Sequence, residues 1–468
     1  MLSYAGIGYV AGDATSTARS PVGIAHQPTF LTRESRDYNS ARWLFNSRLD
    51  FHPALIATCR KENEIAAAVA HAGRNKLQVT VKSGGHSFEG FCSNNGGLMV
   101  NLSGMNQLSY DSRSHVLTAQ PGCRLAQVSA LLFSKGRLLP SGSCAGVGLA
   151  GLTLGGGYGL FARKFGLTCD HLIGLRMVDG RGIVHDSDDE PQRGAALLHA
   201  CRGGGNGNFG IITEMRFNTV PAPKMFRSQR IKFRKLSPEK VGEIAKLWFA
   251  ATAALPDDGF SAFVLNGTYL TLLVTFFEPG SRRAIEKAFK PLCEIAWKAE
   301  AIQVGPTENA VMRYYGRPGP LPFKNASAGY YRSYQDIGRA IPAIARQVAK
   351  VPGTVWQINT LGGQIGRADY AKQSVYPHRD YPWLGEIQAY WEKPARADAC
   401  VENVAAIQTL LAASGVTAHY RNYPDVALKN WGTAYYGDAG LASIRAMKQR
   451  YDPGDIIRHP QSVKAHPG

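Results

Sequence analysis

Glycine constrains this chain more than any other residue type. The 468 residues include 51 glycines, and these gather in two zones, GSCAGVGLAGLTLGGGYG at 142–159 and GGGNGNFG at 203–210. Ordinary core packing uses alanine, so runs this dense mean a backbone that closely approaches something bulky and flat, or one that turns repeatedly at positive φ. The clusters have no fixed period, which excludes collagen-like and low-complexity arrays. A third stretch, VTVKSGGHS at 79–87, is a β-branched strand that stops at Gly84-Gly85 and presents His86. Converging backbone N–H groups of that kind hold phosphates, while a tight turn before a structural histidine explains the stretch equally well. In the 203–210 zone Gly203, Gly205 and Asn208 are no dinucleotide fingerprint, because the strand follows the glycines where that motif needs it to precede them.

The length argues for two domains and leaves room to bury a large cofactor. A net charge of +18 is compatible with nucleic acid, an acidic substrate or an anionic cofactor. The basic residues are dispersed, and no basic stripe interleaved with aromatics marks a nucleic-acid surface. Eight cysteines form no CxxC pair and no Cys/His cluster, so no metal site is expected. No apolar run reaches the roughly 18 residues of a membrane span. The opening MLSYAGIGYVAG is a poor secretion signal, so the chain is read as soluble, either cytoplasmic or exported from a longer precursor. Nothing in the sequence speaks to oligomeric state.

Residues 1–50 read as an arm. A strand at 54–59, a helix at 62–73 with Ile65, Val69 and Ala72 on one face, and the strand before Gly84 then form a strand-helix-strand unit. Strands at 98–101 and 116–120 and a helix at 125–135 follow. Pro221-Ala-Pro223 suggests a boundary. Beyond it Asn266-Gly267 sits between two alternating runs, a strong hairpin signal. Helices near 238–255, 282–297, 335–351 and 396–414 alternate with strands at 354–361 and 385–391, so this part reads as an antiparallel sheet covered by helices, and the whole as α+β.

The motifs VKSGGHSFEG (81–90), GSCAGVGLAGLTLGGGYGLFARKFGLTCD (142–170), CRGGGNGNFGIIT (201–213), YPHRD (376–380), YRNYPD (420–425) and YDPGDIIRHPQS (451–462) resemble, in kind and order, those of the berberine bridge enzyme-like FAD-linked oxidases of the vanillyl-alcohol oxidase class. The resemblance implies a two-domain PCMH-type FAD-binding fold. Its parts would be an FAD domain at 1–220, a substrate domain at 221–418, and a C-terminal segment at 419–468 that returns to the FAD domain. It also implies FAD bound covalently twice, through His86 to the 8α-methyl carbon and through Cys144 to ring carbon C6. Imidazole and thiolate are suitable nucleophiles for such bonds. Gly142 and Gly148 leave Cys144 without bulky neighbours. In this reading Ser83, Gly84, Gly85 and Ser87, with Gly155, Gly156, Tyr158 and Gly159, wrap the diphosphate and ribityl chain. Gly207, Asn208, Gly210 and Ile212 line the adenine end. Val147 matches the position that gates oxygen, and a valine there favours an oxidase that makes H₂O₂.

The resemblance gives the base as Tyr423, with Tyr420 competing, and puts Asn422 at the flavin's pyrimidine edge. A phenol must be acidified to act near neutrality, by cationic neighbours or by hydrogen bonds to the phenolate. Gln357 and Asn359, two apart on one strand face, are the expected substrate residues. Carbohydrate-oxidising relatives often carry a carboxylate at the second of these positions. Asn359 departs from that and removes a carboxylate base from this strand. Tyr314, Tyr315, Tyr330 and Tyr331 are looser candidates for the substrate cleft. The expected substrate is an alcohol, such as a sugar hemiacetal or a natural-product hydroxyl. Oxidative ring formation is the runner-up, and a catalytically inactive basic binding protein on the same fold is the alternative from another class.

Overall fold

The computed structural model describes residues 27–465; most of the expected N-terminal arm, the weak signal-like opening and residues 466–468 lie outside the described residues. The strand-helix-strand unit forms, but its two strands are not neighbours. Leu55–Thr58 and Val79–Lys82 both run parallel to Leu98–Asn101, which lies between them, and Thr29–Leu31 closes the edge antiparallel. Helix Glu62–Arg74 buries Ile65, Ala68, Val69 and Ala72, the face that its apolar spacing defines. A second, antiparallel sheet follows in the order Leu108–Asp111, Val116–Ala119, Gly210–Asn218, Leu172–Asp179, Val184–Asp186.

From Met225 the chain builds a larger antiparallel sheet. Five of its strands run Tyr269–Phe276, Phe260–Asn266, Thr354–Thr360, Trp383–Tyr390, Phe323–Tyr331, the last at the sheet's edge. Asn266 pairs with Tyr269 around Gly267 at φ 59°, the hairpin that Asn-Gly specifies. Helices Pro238–Ala253, Ile341–Lys350 and Ala397–Ala413 cover one face, over a core holding Trp248, Phe263, Tyr331 and Trp356. Strand Phe323–Tyr331 has no exposed residue. Tyr331 therefore belongs to the core, and Tyr330 bonds the hydroxyl of Tyr376 at 2.6 Å, so neither is the cleft residue the sequence suggested. The fold is α+β, with the larger antiparallel sheet covered by helices, as the sequence suggested.

The C-terminal segment returns to the first sheet. The Val79 amide donates to Ile456 at 2.7 Å, and the Arg458 amide donates to Val79 at 3.1 Å. Helix Trp431–Tyr451, kinked at Gly437, leads into it. A buried ion pair ties the two halves together. Arg379, from the YPHRD motif, grips both carboxylate oxygens of Asp170 at 2.6 and 3.2 Å, and it also donates to Ser374 and the Ile365 carbonyl. Removing one partner leaves a desolvated charge, a loss of roughly 3–5 kcal/mol. Arg379→Ala should therefore lower the thermal midpoint by several degrees in differential scanning fluorimetry; an unchanged midpoint would show that the pair does not clamp the halves.

Candidate active site

The glycine turn and the Cys144 turn interlock. A Cβ on Gly84 would lie 2.7 Å from the Gly148 Cα, and one on Gly148 would lie 2.6 Å from the Gly84 nitrogen, closer than side-chain atoms tolerate. Only two glycines let these backbones cross. Ser83 is held by the Pro121 carbonyl at 2.5 Å, and Gly85 takes φ 72°. His86 then stacks on Phe45, with ring centroids 4.0 Å apart. A side chain at Gly146 would come within 2.9 Å of His86 Nε2, so the imidazole lies against the turn that carries Cys144. Burial, reinforced by the Arg124 charge, holds the His86 pKa down at about 4. The ring is neutral near pH 7, with a nitrogen lone pair available.

Both turns face one cavity of about 1800 Å³. Pockets for single small molecules measure about 300–1000 Å³, so this space admits a dinucleotide together with a substrate. Cys144 is open to the cavity. The protein around it, and the Glu386 charge after that, push its thiol pKa up. Backbone amides of the 83–87 turn and the basic Lys82, Arg124 and Arg421 line the same space. That donor set, with His86 and Cys144 in the same cavity, fits an anionic flavin dinucleotide.

The opposite wall comes from the large sheet. Gln357 pairs in register with Glu386, and Val355 with Gln388, so period-two alternation turns Gln357, Asn359, Glu386 and Gln388 to the cavity. Gln357 donates to Asn359 Oδ1 at 2.7 Å, Asn359 donates to Tyr158 Oη at 3.0 Å, and Tyr158 Oη lies 2.6 Å from Tyr423 Oη. The Tyr423 ring stacks on Phe88, two residues after His86, at 5.3 Å and 7°. Burial pushes Glu386 up to about 7, although Gln388, Tyr423 and Asn325 favour its charged form. Burial first and Glu386 second raise Tyr423 well above 10. No cation is among the groups that shift it, so the acidified phenol expected from sequence is not what this environment produces. Tyr420 Oη already accepts from the Gly157 amide at 2.9 Å and from Asn422 at 3.0 Å.

Residues 53–188 match the FAD binding domain family, and residues 419–464 match the family described as berberine and berberine like. The chain is 32% identical to a xylooligosaccharide oxidase of Thermothelomyces thermophilus, over 92% of this chain and 91% of that protein. It is 30% identical to an uncharacterized FAD-linked oxidoreductase, YgaK, of Bacillus subtilis, over 92% and 96% of the two chains. Among solved structures it is similar to a glucooligosaccharide oxidase of Acremonium strictum, whose structure is described as revealing a novel flavinylation. There the TM-score is 0.83 and the identity 25%, over 94% of this chain and 97% of that one. The chain belongs to the berberine bridge enzyme-like FAD-linked oxidoreductases.

Most of the residues that sequence analysis assigned to this family's site line the cavity, but three do not. A side chain at Gly155 would meet the Asn422 amide within 2.6 Å, and one at Gly156 would meet the Tyr376 ring at 2.9 Å, so the missing side chains of these glycines make room for protein neighbours. Asn208 bonds the Gly204 carbonyl, the Tyr436 hydroxyl and the Val463 amide, so it fastens the returning C-terminal segment. Tyr158, grouped with the cofactor residues, stands instead in the tyrosine network. Glu386 was missed, because attention to strand 354–361 found only Asn359; alternation along LGEIQAY was the available signal.

Because its pKa is raised in the folded chain, Glu386 contributes stability that is fully present below about pH 4.5 and lost as pH rises through about 7. Glu386→Gln should thus be more stable than the parent above pH 7, by about 3 kcal/mol, and equal to it near pH 4. Urea unfolding across that range checks this, and a difference independent of pH would remove Glu386 as the titrating group.

Proposed function

We propose that the protein is an oxidase that carries FAD attached through both His86 and Cys144 and oxidises an alcohol, a sugar hemiacetal or a natural-product hydroxyl, with O₂ reduced to H₂O₂. The observation that carries this reading is that a neutral imidazole and a thiol share one cavity with a buried carboxylate and a hydrogen-bonded tyrosine pair. The names of the oligosaccharide oxidases support the substrate class, and the flavinylation described for one of them supports covalent attachment. Bound FAD supplies the hydride acceptor and passes electrons on to O₂.

The chain's own groups handle the proton. With Asn359 donating to Tyr158, the Tyr158 hydrogen is free to point at Tyr423 Oη, and the Tyr423 hydrogen is free for Glu386. A substrate hydroxyl gives its proton to Tyr423 Oη while Tyr423 passes its own to the Glu386 carboxylate, so the phenol is a relay and Glu386 the final acceptor. A phenol held well above 10 does not stand as phenolate near neutrality, whereas a carboxyl near 7 is half ionised there. Tyr420 holds Gly157 and Asn422 in place and carries no proton. Val147 is small enough to leave O₂ a path beside the Cys144 turn.

A peroxide-release screen over sugars, polyols and aromatic alcohols tests the reaction. With the substrate so found, the rate should rise with pH through about 7, and Glu386→Gln should lose that limb and fall by about 10²–10⁴. Tyr423→Phe should fall comparably while oxygen consumption by the pre-reduced protein stays normal. A full rate in Glu386→Gln would move the acceptor elsewhere. Attachment is read by mass spectrometry of the denatured chain. The parent and His86→Ala should both carry FAD mass, and His86→Ala with Cys144→Ala should carry none; a bare polypeptide mass in the fully loaded parent would falsify the covalent reading.

A further inference from the structure

We infer that Arg421 is the fixed counter-charge for the diphosphate of FAD, a role that rests on FAD occupying the cavity but not on its covalent attachment. Arg421 lies in the YRNYPD motif, one residue before Asn422, and only 5% of it is exposed. Its Nε donates to Tyr436 Oη at 2.8 Å, its Nη2 meets His459 Nε2 at 3.2 Å, and its guanidinium lies 5.5 Å over the Phe91 ring. Among the described residues no carboxylate stands within 4.0 Å of it, and in this it differs from Lys324, Arg379 and Lys448. Lys324 faces Asp425, Arg379 faces Asp170 and Lys448 faces Asp452, while Arg163 is bound by the Leu255 and Leu361 carbonyls. Of these five, Arg421 alone lines the cavity.

A buried cation without a counter-charge is costly, and its histidine neighbour offers none. Burial and the Arg421 charge itself hold the His459 pKa well below its usual value, so the ring is neutral. The remaining source of negative charge is whatever the cavity holds. The guanidinium's position favours the diphosphate over any other part of FAD. It stacks on Phe91, whose amide donates to Ser87 Oγ at 3.0 Å, and so lies at the end of the loop whose glycine turn offers bare backbone donors. Backbone N–H groups on one side and a planar five-donor cation on the other form a phosphate-binding set.

The test uses full-length apoprotein from riboflavin-starved cells and isothermal titration with ADP and adenosine. Neither probe has a ring that meets His86 or Cys144, so the result does not depend on covalent attachment. Arg421→Met should weaken ADP about tenfold to a hundredfold and leave adenosine unchanged, with Arg421→Lys recovering part of the loss. Arg421→Gln, which keeps a donor toward Tyr436, replaces the methionine variant if that chain does not fold. In the FAD-loaded holoenzyme the diphosphate signals in phosphorus NMR should shift in Arg421→Gln. Equal losses for ADP and adenosine would make Arg421 a packing residue. Inorganic pyrophosphate bound as tightly as ADP would make it a free-anion site. Either result, unchanged ADP binding or unmoved phosphorus signals would overturn the assignment.

Discussion

The contact between Gly84 and Gly148 is what the rest of the site depends on. The first ends the turn after Val79–Lys82, the second opens the helix Leu149–Leu154, and each occupies the space the other's Cβ would need. Because the backbones touch, the turn bearing His86 and the turn bearing Cys144 are parts of one surface. Gly146 extends the same logic, since its missing side chain is what lets the imidazole lie against the Cys144 turn. A methyl group at any of the three positions would force the turns apart, and shifts near 1 Å are enough to cost about 10²-fold in reactions that need aligned partners. The glycine density reflects this protein-on-protein approach as much as room for a ligand.

Charge is organised in a way the composition conceals. The chain is strongly basic, yet the tyrosine wall of the cavity is governed by one acid. Glu386 contributes to the raised pKa of Tyr158, Tyr390, Tyr423 and Cys144. Its negative charge therefore opposes ionisation of each of them. The bases divide by location. Away from the cavity, buried Lys324, Arg379 and Lys448 are paired with carboxylates and Arg163 is held by carbonyls, while Arg421, which faces the cavity, has no carboxylate partner.

Local features were legible because they have local causes. Helix Glu62–Arg74 and the Asn266-Gly267 hairpin follow from periodicity and turn chemistry. Strand Phe323–Tyr331 was not legible, since a strand buried on both faces shows no alternation. Helix Trp431–Tyr451 was obscured by Gly432, Gly437 and Gly440, one of them at a kink. At the site, His86, Cys144 and Tyr423 stand in recognisable motifs. Glu386 stands in an ordinary-looking strand, and its place opposite Gln357 depends on register between strands, which no single segment encodes. Asn208, Gly155 and Gly156 lie off the cavity lining; a glycine-rich context marks close approach without saying what approaches.

The amide at Asn359 and the acid at Glu386 are best understood together. Asn359 touches Tyr158, and Glu386 lies on the next strand beside Tyr423, whose hydroxyl is 2.6 Å from that of Tyr158. A carboxylate at position 359 would put two acids around one buried tyrosine pair, and in a low dielectric such neighbours do not both ionise; one keeps its proton. A carboxamide in that place donates to Tyr158 in a single sense and leaves the negative charge to Glu386. In the proposed reaction the wall thus holds one acceptor, and the proton moves toward the strand Trp383–Tyr390. On that proposal, the departure that seemed to remove a carboxylate base is what permits one to act from the neighbouring strand.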